Sequence, residues 1–144
     1  MTATPTTSTA PGIRVTARTS TYGRHMSVVL VAAFTLSVVH TVYAWLAEIE
    51  DPTFTVDTLL AWGFYAVAFG MAALARRNER WAQITVLTYL ATVLGIAFFY
   101  YPTTFGRVQQ TVFGWFENDV YVGLLVTATY LGVLRLRRTT LTPG

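Results

Sequence analysis

Four apolar runs, at residues 26–47, 58–75, 81–101 and 116–134, are separated by short polar junctions. About 20 apolar residues cross the roughly 30 Å hydrocarbon core of a bilayer as a helix, so the pattern predicts four transmembrane spans. The junctions alternate in sign. Arg14, Arg18, Arg24, Arg76, Arg77, Arg80, Arg135, Arg137 and Arg138 fall at every second one, and Glu48, Glu50, Asp51, Asp57, Glu117 and Asp119 fall at the others. Only Arg107 and Glu79 break the alternation. Arginine is retained on the cytoplasmic face during insertion, which puts both termini inside. The expected fold is an all-α, integral membrane four-helix antiparallel bundle over residues 25–138. A disordered cytoplasmic tail, residues 1–24, precedes it and a short cytoplasmic tail, residues 139–144, follows.

The link at residues 76–80 forces spans two and three into a hairpin. The link between spans three and four carries Phe105, Val108, Val112 and Trp115 or Phe116 at helical spacing, which predicts a short interfacial helix. The charge-free part of span four, residues 120–134, is only about 22 Å long. Either Arg135 snorkels and Asp119 sits in the outer interface, or the bilayer thins. Asn118 or Asp119 is expected to cap the start of this span.

At 100° per residue, span one aligns Ala33, Ser37, His40, Thr41, Ala44 and Glu48 on one stripe. Small and polar residues mark protein contact in lipid, so this stripe is expected to face inward. Span three aligns Thr85, Thr88, Ala91, Thr92 and Gly95, read as the partner stripe, with Val86, Leu90, Val93 and Ala97 opposite. Span two carries two small-residue stripes: Gly63, Ala66, Gly70 and Ala73 on one flank, and Ala61, Ala68, Ala72 and Ala75 on the other. One of the two is left for a membrane-protein partner or for homo-oligomer contact.

Composition narrows the function. Of 144 residues 53% are hydrophobic and 12% charged, which leaves no room for a soluble catalytic domain beside four spans. The net charge of +3 is held at membrane boundaries, so it speaks for anionic headgroups and against nucleic acid. With no cysteine there is no disulfide, thiolate nucleophile or zinc–thiolate site. All ten basic residues are Arg, a bias of GC-rich bacterial genomes, which makes the bacterial plasma (inner) membrane the expected location.

His40 is the one ionisable side chain well inside a span, and intramembrane ionisable groups are costly enough to be functional candidates. A neutral imidazole satisfied by Ser37, Thr41 or a span-three Thr is the structural alternative. His25 lies about 22 Å away on the same axis, so one chain cannot build a bis-His haem site, and no cofactor or metal is favoured. A carboxylate and aromatic rim, with Tyr65 in its aromatic belt, surrounds the outer mouth. From it, His40, Glu117 and Asp119 are the candidate catalytic residues, and His40, Tyr43 and Tyr100 the candidate cofactor-binding ones. A quinone or isoprenoid-like ligand in an outward pocket around His40, Tyr43, Glu117 and Asp119 would suit an isomerase or cyclase. No phosphate-binding loop, metalloprotease motif or nucleophile elbow accompanies them. The leading expectation is a non-enzymatic accessory or assembly subunit, with the ligand-binding protein or enzyme as the alternative and a small transporter third.

Overall fold

In the computed structural model, residues 11–49, 54–100 and 112–140 are described. They form helix α1 (Pro11–Leu46), α2 (Leu59–Leu74), α3 (Arg80–Gly95, continued by a π-helical turn at Ile96–Tyr100) and α4 (Val112–Thr140). Among the described residues there is no strand. Within these helices the stretches Thr21–Leu46, Arg80–Phe99 and Asn118–Arg138 are long and apolar enough to cross a membrane, and Leu59–Leu74 is a shorter apolar helix.

One core joins all four helices. Met26, Leu30 and Phe34 of α1, Ala68 and Ala72 of α2, Val86 and Leu90 of α3, and Leu125 and Ala128 of α4 are buried together. Helix α1 packs most extensively on α4 and next on α2, while α3 lies against α4 and α2. The Phe34 ring meets Phe64 of α2 and Tyr89 of α3 edge-on, with centroids 6.4 and 6.2 Å apart. Such rings add directional contact to a core otherwise made of dispersion.

Helix α1 turns its expected stripe inward: Ala33, Thr41 and Ala44 are buried, and Ser37 and His40 are half-buried. Helix α2 buries Ala61, Tyr65, Ala68 and Ala72 and leaves Gly63, Ala66, Gly70 and Ala73 exposed.

Several expectations are corrected. Helix α3 buries Val86, Leu90 and Val93, and Thr88, Ala91 and Thr92 are exposed, so its threonine stripe is not the partner of α1. The reason is local. Thr85 donates to the Trp81 carbonyl at 2.9 Å and Thr92 to the Thr88 carbonyl at 3.0 Å, so these hydroxyls keep a partner even where the helix turns them away from the core. Helix α4 starts at Val112, so Asn118 and Asp119 lie well inside it and cap nothing. Residues 112–116 belong to this same helix and not to a separate interfacial one; Phe105 and Val108 lie outside the described residues. Helix α1 begins at Pro11, so residues 11–24, expected as tail, are its first turns; proline suits a first turn, where its missing N–H costs nothing. Residues 1–10 of that tail, and 141–144 of the other, lie outside the described residues.

The ends of α1 and α2 have local causes. Glu48 adopts φ 55°, Ile49 N–H donates to the Ala44 carbonyl at 3.0 Å and Glu48 N–H to the Trp45 carbonyl at 3.2 Å. This is a Schellman stop with glutamate in the place glycine prefers. Thr58 caps α2: its hydroxyl accepts from Ala61 N–H at 3.4 Å and donates to the Thr55 carbonyl at 2.8 Å. Trp62 Nε1 donates to the Val56 carbonyl at 2.8 Å, folding the preceding loop onto the helix.

Candidate functional site

Two polar junctions hold the helices together, and neither is the outer rim expected from sequence. The first gathers where α4 reaches the carboxyl end of α2. A helix terminus leaves carbonyls without intrahelical donors, and a cation there also meets the negative end of the dipole. Arg135 answers both needs although it is only 1% exposed. Its Nη1 donates to the Ala75 carbonyl at 2.6 Å, and its Nη2 donates to the Arg77 carbonyl at 2.5 Å and to Asn78 Oδ1 at 2.7 Å.

Gly23 of α1 makes the approach possible, since a Cβ there would fall 2.8 Å from Arg135 Nη1 and 2.9 Å from the Ala75 carbonyl oxygen. Asn78 is held from its other side by Gln83 Nε2, which donates to its backbone carbonyl at 2.9 Å. One helical turn beyond, the Arg138 guanidinium stacks 4.7 Å from the Tyr22 ring centroid. Gly132 allows a second close approach, because a Cβ there would lie 2.7 Å from Leu87 Cδ2 and 3.1 Å from Met26 Cε.

The second junction lies between α1 and α2. Tyr65 O–H donates to the Ser37 carbonyl at 3.0 Å, and its oxygen lies 2.6 Å from Thr41 Oγ1 and 3.2 Å from Ser37 Oγ. Thr41 Oγ1 also donates to the Ser37 carbonyl, at 3.1 Å, so Tyr65 and Thr41 share that acceptor and every hydroxyl of the junction has a partner within reach. Phe54 closes this end edge-on, 5.9 Å from the Tyr65 ring. Beside the junction, a shallow apolar groove of about 390 Å³ opens between the helices, lined by Thr35, Val38, Trp62, Tyr65, Ala66 and Phe69.

The residues singled out from sequence fall on α1 and α4 where their side chains are described. His40 and Tyr43 are half-buried on α1 and Asp119 is exposed on α4. None of the three lines the cavities between α1 and α2. The side chains of Tyr100 and Glu117 lie outside the described residues. Among the described residues, no group of three His, Asp or Glu side chains is placed to hold a metal ion.

Sequence reading assigned Tyr65 to the aromatic belt and Arg135 to the membrane surface, and so missed both junctions. A signal for the junction between α1 and α2 was present: Ser37 and Thr41 stand four apart on the inward stripe, where hydroxyls mark contact with a neighbouring helix. Comparison with protein-family models, curated proteins and solved structures finds no match to this chain.

Proposed function

We propose that this chain is a four-pass membrane protein, its helices antiparallel and its arginine-rich ends cytoplasmic, that works as a non-enzymatic assembly subunit of a bacterial inner membrane. Its working surface is the outer flank of α2. The observation that carries this reading is the pair of exposed glycines there: Gly63 and Gly70 meet nothing within 4 Å of a built Cβ, and Ala66 and Ala73 continue the same face. In lipid, bulky side chains cover a helix as well as a neighbour does, whereas glycine and alanine forgo that contact and permit close backbone approach. The opposite flank, with Ala61, Ala68, Ala72 and Ala75, is already occupied by the chain's own core. The arginines clustered at one end supply the orientation.

The test is extraction in native nanodiscs followed by mass measurement of the wild type and of a Gly63→Ile, Gly70→Ile double variant. The expected result is a stoichiometric complex, with a second copy or another membrane protein, that the double variant loses while its own melting temperature is unchanged. A lone wild-type chain, or a complex indifferent to the two isoleucines, overturns the reading.

A further inference from the structure

Within the Arg135 junction two polar atoms are buried without a protein partner: Arg135 Nε and Gln83 Oε1. Both side chains are more than nine-tenths buried, at 1% and 5% exposure. Both also bind the same residue, Arg135 through Asn78 Oδ1 and Gln83 through the Asn78 carbonyl. The orientation of the Gln83 amide is fixed, because the Asn78 carbonyl can only accept and so must face Nε2. The junction therefore presents an unused donor at Nε–H and an unused acceptor at Oε1.

We propose that this junction is a binding site for internal water, which accepts from Arg135 Nε–H and donates to Gln83 Oε1. The ligand class follows from the two demands. An anion satisfies Nε–H but repels Oε1, and a metal cation does the reverse beside a guanidinium that already carries positive charge. A neutral molecule that both donates and accepts meets both demands, and water is the smallest that does. Leaving a buried polar atom without a partner is costly, and more so when it belongs to a charged group, so hydration here is favoured. The water adds to the solvation of a guanidinium that already gives three N–H groups to carbonyl and amide oxygens, and it makes this the wet end of the bundle.

The experiment is water-edited solid-state NMR on the full chain in lipid bilayers, with ¹⁵N-arginine labelling and the Arg135 Nε signal assigned by its loss in Arg135→Lys. The expected result is early polarisation transfer from water to Arg135 Nε–H, while the backbone amides of Leu30, Phe34, Val86 and Leu90 stay dry. Gln83→Met, which removes the acceptor but keeps the volume, is expected to reduce the Nε signal severalfold. A wild-type Nε–H as dry as those core amides overturns the proposal, and so does a direct through-space coupling between Nε–H and the Gln83 side-chain carbonyl, since the two groups would then satisfy each other. The wild-type measurement decides the matter even if Gln83→Met does not fold.

Discussion

The two polar junctions solve the same problem with different chemistry. Between α1 and α2, three neutral hydroxyls and one carbonyl close on each other and leave nothing over. At the end of α4, a single cation serves the stranded oxygens of another helix and still has a donor to spare. A neutral cluster loses little when one member is removed, because the unfolded chain in lipid also finds partners for hydroxyls. A buried charge has no such alternative, and its removal strands several acceptors together. The charged junction should therefore be the more fragile of the two, and the comparison can be broken at either end.

The largest effect is expected for Arg135→Met, which leaves the Ala75 and Arg77 carbonyls and Asn78 Oδ1 without their donor; the loss is about 3 kcal/mol in reversible unfolding from mixed micelles. Arg135→Lys should recover only part of it, as an ammonium lacks the planar fork that reaches several oxygens at once. A full rescue by lysine would mean that charge alone holds the junction.

Gly23→Ala comes next. Its Cβ presses on a backbone carbonyl as well as on the guanidinium, for about 1–3 kcal/mol in the same assay. Tyr65→Phe follows at about 1 kcal/mol, since it removes one donor and one acceptor from the hydroxyl junction and keeps the ring. A Tyr65→Phe cost above that of Arg135→Met would reverse the ranking of the two regions.

The smallest expected effect is the coupling between them. Gly23 and Ser37 are about 21 Å apart along α1, so Arg135→Met and Tyr65→Phe should add to within about 0.5 kcal/mol. A larger coupling would show that α1 transmits between its ends.

Much of the helical framework was legible because bilayer length and charge alternation act over many residues. Helix α2 starts and stops within a residue of its expected bounds, where a threonine cap meets an apolar run and an Arg pair ends it. The inward face of α1 was legible too, from Ala33, Thr41 and Ala44. The face of α3 was not, because threonine signals either a helix partner or its own preceding carbonyl, and sequence does not separate the two. Arg135 was read from its position at the edge of a span, where arginine ordinarily reaches outward. Its actual partners come from residues 75–78, almost sixty positions earlier, and only the third dimension, with Gly23 making room, brings them within reach.

Helix α2 holds 16 residues, about 24 Å of rise, against some 30 Å of hydrocarbon. With α2 seated across a membrane, acyl chains beside it are compressed, at a cost of fractions of a kcal/mol per ångström. The penalty would shrink where two such flanks shared one annulus of lipid, so a spanning α2 would favour pairing and the thinner patches of a heterogeneous membrane.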